Sequence, residues 1–537
     1  MIILLLAACS GPVKQGHEPP IKDTGSTVHL QDTAAPNSPI SPISDAALLR
    51  RISLDFRGVP PSEAELDELA ANPSLAPNLR DAILRDSRFG ERLVHLFAER
   101  WHTRTDVFDI VAYDYGLDRT DEYTFERSVG EEPLRILSHV VTEDLPWTEV
   151  VLGDWTMANE LLAEIWPIAY PEGSSGWQVS HYTDSRPAAG VMATNGLWWR
   201  YTTTDSNMNR GRAAAISRLL LCEDYLQRPV AFSEADTTGS STADAAQEDP
   251  YCLACHASLD PVAASLFGFW WLSQYSEVEE TTYHPEREAL WEQHLGTAPG
   301  WFGTPISGLP DLGVSVARDS RFYTCAVESM AETLWRRPVT LDDAEELEEL
   351  RVGFLENETR VRPLLAAITE TDTYRADSRR MITHDQLHST LEALTGFRWT
   401  FDGFDELDSD ESGYRMLLGG VDGVAIRSPQ QRPGMTWALV VKRAAEAAAS
   451  HAVGQELGEG MSGVLFQSVN LSDSPGDAAF DGELYRLHRR MYSTEASDSW
   501  LSDVSALWTA VAVDQNPKVA WTATISAMLR DPALLTY

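Results

Sequence analysis

The chain has 537 residues, 43% of them hydrophobic, enough for about three domains rather than one small core. Its 81 Asp and Glu against 42 Lys and Arg give a formal net charge of −39. So acidic a surface repels phosphate backbones, which excludes nucleic acid as a partner and leaves two roles for the charge: attracting a basic partner protein, or keeping the chain soluble.

Residues Ile2 to Ala8 form an apolar run that ends Leu6-Ala7-Ala8-Cys9 and then turns polar. Seven apolar residues cannot span a bilayer, but they suit the end of a signal peptide. The Leu-Ala-Ala-Cys order resembles the bacterial lipobox, which implies cleavage before Cys9, lipid on its sulfur and export to the cell envelope. Ser10, in place of Asp, resembles outer-membrane sorting, although no Lys or Arg precedes the apolar run. Residues 10–44 are rich in Pro, Ser, Thr and Asp and read as a disordered tether.

From Asp45 onward the periodicity is helical, as at Leu66, Leu69 and Ala70 or Leu347, Leu350 and Phe354, and no transmembrane stretch follows. A weak repeat runs through these helices. Arg50-Arg51, Arg336-Arg337 and Arg489-Arg490 each precede an apolar helix that ends in an aromatic, at Phe89, Tyr374 and Tyr537. Ser62 with Glu65 and Thr340 with Asp343 have capping-box spacing, and the third copy lacks a clear box. These units read as structural packing modules. The expected organisation is a signal and lipobox at 1–9, the tether at 10–44, an N-terminal helical module at 45–105 and a connecting region at 106–185. A haem-bearing module at 186–337, a helical repeat at 338–378 and a C-terminal helical module at 379–537 complete it.

Cys252-Leu-Ala-Cys255-His256 is a C-x-x-C-H motif, the c-type haem attachment pattern. Two thiols three residues apart on a helical turn reach the two vinyl groups on one porphyrin edge, and the next imidazole falls beneath the iron. Such attachment occurs outside the cytoplasm, in agreement with the N-terminal signal. A disulfide or redox pair at Cys252 and Cys255 is the alternative, whereas zinc would need a second Cys pair that the chain lacks. Leu259, Leu266, Phe267, Phe269 and Trp270 suit an apolar haem wall, and a backbone carbonyl near Asp260-Pro261 is placed to accept the other N–H of His256. Met208, in the polar stretch Asp205 to Arg210, is the candidate second axial ligand. Met192 and Met330 lie in apolar surroundings, and His284 and His294 resemble surface residues. A disulfide between Cys222 and Cys325 would staple the haem-bearing segment; two buried thiols are the alternative.

On these motifs the chain resembles the planctomycete-type cytochrome-c-like multidomain proteins, whose modules are mostly domains of unknown function. Arg50-Arg-Ile-Ser-Leu-Asp-Phe-Arg-Gly-Val-Pro-Pro61 is similar to their N-terminal module. Asn209-Arg-Gly-Arg212, Leu219-Leu-Leu-Cys222 and Cys252-Leu-Ala-Cys-His-Ala-Ser-Leu-Asp-Pro261 resemble their core module, and Ser320-Arg-Phe-Tyr-Thr-Cys325 with Leu334-Trp-Arg-Arg337 the one after it. Arg379 to Leu387 and Asp408 to Tyr414 are similar to a further module that here stands near the C-terminus. The resemblance implies a cytochrome-like role without a defined reaction.

Two other motifs are set aside. Gly458-x-Gly460-x-x-Gly463 follows an Ala-rich helical run instead of a strand, so it reads as a loop, and the Asp408-x-Asp410 stretch lacks the twelfth-position Glu of a calcium loop. The expectation is a mainly α, multi-module envelope protein carrying haem c on Cys252, Cys255 and His256, an electron carrier more than a catalyst. The competing classes are a haem-free, lipid-anchored scaffold that binds a protein or polysaccharide through its Trp198-Trp199 and Trp270-Trp271 doublets, and a haem enzyme with an open iron site.

Overall fold

The structure, a computed structural model, describes residues 42–105, 108, 115–117, 122–228, 250–270, 281–401, 404–409 and 413–537. Residues 1–41, which include Cys9 and most of the tether, lie outside the described residues. As the periodicity predicts, the fold is mainly α, and the strands among the described residues form small antiparallel sheets. No described helix is long and apolar enough to cross a membrane.

Capping chemistry sets where several helices begin. Ser62 accepts from the Glu65 N–H at 3.3 Å while the Glu65 carboxylate accepts from the Ser62 N–H at 2.8 Å, and helix Glu63–Ala71 starts there. The Asp343 carboxylate likewise accepts from the Thr340 N–H at 2.7 Å, ahead of helix Ala344–Glu356. Thr383 and Gln386 form a further box at the start of helix His384–Thr395. Helix Asp498–Asp514 has only the Ser497 side chain as its cap. A lost cap of this kind costs about 1 kcal/mol.

Apolar faces collect into two large cores. The first is built from residues between Leu48 and Tyr374, on helices Asp45–Arg57, Phe89–Trp101, Glu122–Thr142, Arg210–Leu221 and Ser320–Trp335. The second runs from Ile382 to Leu535 around helix Met435–Ala452. There Ala444, Ala445, Ala448, Ala449 and Ala452 are buried, and these small side chains let helix Pro517–Leu529 pack closely against the same helix. A smaller aromatic core holds Phe125, Trp166 and Trp199 beside the sheet of strands Thr156–Ala158, Gln178–Tyr182 and Ile168–Ala169, in which Thr156 faces Ser180 and Ile168 faces Tyr182. Burying one Leu, Ile or Phe side chain is worth about 2 kcal/mol, so these cores dominate the stability.

The first Arg pair and the closing aromatics of the second and third copies meet at the junction of the two large cores. Arg50 donates to the carbonyls of Met491 (2.5 Å) and Leu534 (3.0 Å), and Arg51 to those of Tyr374, Ala376 and Ser378. Asp55, 1% exposed, accepts from the Tyr374 hydroxyl at 2.8 Å, the Tyr537 hydroxyl at 2.6 Å and Arg380 at 3.0 Å. The closing aromatics of the second and third copies therefore both end on a carboxylate of the first. Nearby, Arg92 pairs with Asp385, while Arg104 (2.7 Å) and Arg127 (2.6 Å) share Asp408. Burial works to raise both carboxyls, but the opposing guanidiniums outweigh it and hold Asp385 and Asp408 well below the usual carboxylate range. Desolvation drives His95 in this network down to about 4 and lowers His384 as well.

Trp198, Trp199 and Trp270 of the tryptophan doublets belong to the interior. Trp198 and Trp270 sit in the first core and Trp199 in the aromatic core, all at 3% exposure or less. They present no platform to a polysaccharide, because their rings are spent on packing; Trp271 lies outside the described residues.

Candidate functional site

Cys252, Cys255 and His256 stand on helix Pro250–Ala264. All three are half-buried, unlike Val262 to Trp270 further along, which fill the first core. On a helix, positions four apart lie one above the other, so Cys252, His256 and Asp260 form one stripe with Cys255 beside it. The outer end of that stripe reaches solvent and the inner end is closed: the His256 side chain is 25% exposed, the Asp260 side chain 6%.

The imidazole partner differs from the expected backbone carbonyl. His256 Nδ1 lies 3.0 Å from Asp260 Oδ1, one helical turn on. Pro261 follows within the same helix and has no N–H to give the Ala257 carbonyl. Arg210 holds Asp260 from the other side, with Nε 2.7 Å from Oδ1 and Nη2 2.9 Å from Oδ2. Burial works to raise the Asp260 carboxyl, but the hydrogen bonds from Arg210 and His256 outweigh it and lower it below its ordinary value. A carboxylate gripped by both prongs of Arg210 can only accept, so its hydrogen bond to His256 uses a proton on Nδ1 and leaves Nε2 as the ring nitrogen available to a metal.

Arg210 is itself set in place by an unusual turn. Met208 (φ 52°) and Asn209 (φ 65°) are consecutive left-handed residues, a conformation that costs a non-glycine residue about 1–2 kcal/mol. Asn209 is buried, donates its N–H to Thr203 Oγ1 at 2.8 Å and accepts from Arg212 Nη1 at 3.1 Å. Arg212 is buried in turn and donates to the carbonyls of Phe269 (2.7 Å) and Tyr201 (2.9 Å). Burial of its guanidinium lowers it to about 9. These bonds fix the first residue of helix Arg210–Leu221 opposite Asp260.

The other end of that helix is fastened covalently. Cys222, itself left-handed at φ 56°, is disulfide-bonded to Cys325 on helix Ser320–Trp335, closing a separation of 103 residues. Arg100 Nη2 approaches Cys222 Sγ at 2.8 Å.

No family model, curated protein or solved structure matches the chain.

The remaining sequence candidates are placed as follows. Met208 packs partly against the first core, two residues from Arg210 and thus on the loop that faces the His256 helix. Met192 and Met330 are buried core residues. His284 bonds to Glu286 at 3.0 Å, and His294 packs its ring 4.1 Å from Trp270. Leu266, Phe267, Phe269 and Trp270, read as a haem wall, are instead 0–1% exposed inside the first core, because the chain after Pro261 turns inward; Leu259 stays at the margin. Among the described residues no three His, Cys, Asp or Glu side chains gather as a metal cage, so a metal here would need ligands from a cofactor. The donor set suits haem on its chemistry: two thiols, and an imidazole whose distal nitrogen is left open.

Arg210 and the Asp260 carboxylate are the residues beside His256 that sequence reasoning missed. The four-residue step from His256 to Asp260 is visible in the sequence, but nothing local connects position 210 to position 260.

Proposed function

We propose that the chain is an exported c-type-cytochrome-like protein in which Cys252 and Cys255 attach one haem and His256 is its proximal ligand. The observation that carries this reading is the His256–Asp260 hydrogen bond, which holds the imidazole in the tautomer a metal requires, beside two half-buried cysteines on the same helix. Bound there, the haem would supply one-electron transfer. The chain's own residues do the rest: Asp260 and Arg210 orient the ring, the disulfide ties the Arg210 helix to its neighbour, and the −39 charge guides a basic redox partner. Met208 is the proposed second axial ligand. The Leu6-Ala7-Ala8-Cys9 order supports a lipid anchor in the envelope, and the stretches Arg50 to Pro61 and Cys252 to Pro261 support a resemblance to the planctomycete-type cytochrome-c-like proteins.

The test is haem staining of a denaturing gel after expression in an envelope that attaches haem. Covalent stain on the wild type, lost in Cys252→Ala/Cys255→Ala, is the expected result. An unstained wild-type band overturns the proposal.

A second reading, a haem enzyme with an open iron site, is favoured by the packing of Met208 against the first core. Carbon monoxide distinguishes the two: a shift in the reduced spectrum supports the open site, an unmoved spectrum the six-coordinate carrier.

A further inference from the structure

Asp260 does something that a backbone carbonyl in the same place could not. A carboxylate is a stronger acceptor than a carbonyl, so it draws the Nδ1 proton further and leaves more negative charge on Nε2. We infer that Asp260, clamped by Arg210, is a positioning residue that fixes His256 in its Nδ1–H tautomer and makes it an electron-rich ligand, poising the bound haem toward its oxidised state. This inference rests on the haem reading above.

Three independent observations support it. First, the geometry is complete: Asp260 accepts from His256 at 3.0 Å and from both prongs of the Arg210 fork at 2.7 and 2.9 Å, so the carboxylate has no freedom to swing away. Second, the fork is delivered by two successive left-handed non-glycine residues, Met208 and Asn209. Strain of that kind persists only where the surroundings enforce it, here through Thr203 and the buried Arg212. Third, Asp260 is almost enclosed while His256 is a quarter exposed, so the ion pair is shielded from solvent and the ring's far edge is not.

Arg210 tempers the effect. It neutralises part of the carboxylate charge, so its removal and the removal of Asp260 act in opposite directions on the ligand. Asp260→Asn keeps the side-chain shape but substitutes a neutral oxygen; it weakens the donation and moves the midpoint potential in the positive direction. Arg210→Gln leaves Asp260 more negative and moves the potential the other way. A purely structural role would lower the stability of both variants without that opposition of sign.

Two measurements on the full chain test the inference. Nitrogen-15 NMR of histidine-labelled Cys252→Ala/Cys255→Ala protein, which carries no covalent haem, reports the tautomer of His256, assigned by loss of its signal in His256→Gln. The expected result is an Nδ1–H signal that changes in Asp260→Asn. Redox titration of the haem-bearing wild type, Asp260→Asn and Arg210→Gln then reads the two potential shifts, and the iron–histidine stretching band in the reduced form reads the ligand's charge directly, falling in frequency in Asp260→Asn. An Nε2–H tautomer in the first experiment, or a potential and stretching band unmoved by Asp260→Asn in the second, overturns the inference. Absence of covalent haem from the wild type overturns the function proposed above, and with it the redox half of this inference; the tautomer is still decided by the NMR measurement.

Discussion

Two regions of this molecule are built from the same three residue types, and they behave in opposite ways. At the junction of the large cores, Arg92, Arg104 and Arg127 meet Asp385 and Asp408 with His95 and His384 beside them. In the Cys252 helix, Arg210 meets Asp260 with His256 beside it. The junction is closed: Arg92, Asp385, Arg104 and Asp408 are each below 10% exposure, and the arginines come from elements far from their partners in the chain. The His256 site is partly exposed and is assembled from one helix and the first residue of another. Arg–Asp–His chemistry thus serves cohesion where it is sealed in, and leaves a partly exposed imidazole where the site is open.

The largest effect that would sharpen this contrast is at the junction. Arg92→Ala leaves Asp385 charged, buried and unpaired, and should cost about 3–5 kcal/mol in denaturant unfolding. A loss below about 1 kcal/mol would mean that the junction is as solvated as the surface and would break the comparison.

Next is the disulfide. Cys222→Ser releases a closure of 103 residues, and chain entropy predicts a loss of about 5 kcal/mol, read as the difference between unfolding curves of the oxidised wild type and the variant. The effect should fall on the module that carries Arg210, since that helix ends at the bond.

Acid separates the regions by proton count. Asp385 and Asp408 are depressed in the folded state, so their contribution is present above the unfolded value of about 4 and is lost as the pH falls below it. His95 and His384 are also lowered; an unfolded His binds its proton at about 6.5, so stability should already decline as the pH drops from 6.5 toward the value of about 4 at His95, with protons taken up on unfolding. Unfolding free energies measured between pH 7 and pH 4 check the slope. A flat profile would remove the buried histidines from the account.

The smallest effect belongs to the open site. Asp260→Asn keeps an acceptor for Arg210, so it should cost only about 1 kcal/mol, in the same assay as Arg92→Ala. If it destabilised as much as the junction variant, the His256 site would be another structural clamp.

Much of the local architecture was legible in the residues. The mainly α fold follows from spacings such as Leu66–Leu69, and the capping boxes at Ser62 and Thr340 start helices because each pairs an acceptor side chain with an N–H three residues away. The C-x-x-C-H motif falls on a helix, where its spacing has meaning. The apolar stretch after it packs elsewhere than in a haem wall for an equally physical reason: hydrophobic sequence says that a side chain will leave water, not which surface it will join, and Leu266 to Trp270 join the first core. The tryptophan doublets carry the same lesson.

Sequence alone determined the helices, their caps and the thiol–thiol–imidazole order, because each depends on residues within one or two turns of each other. Tertiary structure decided that Arg210 should face Asp260, that Tyr374 and Tyr537 should both end on Asp55, and that Cys222 should find Cys325. Those contacts join positions 50 to 482 residues apart, where periodicity has no reach and only the packing of cores brings the partners together.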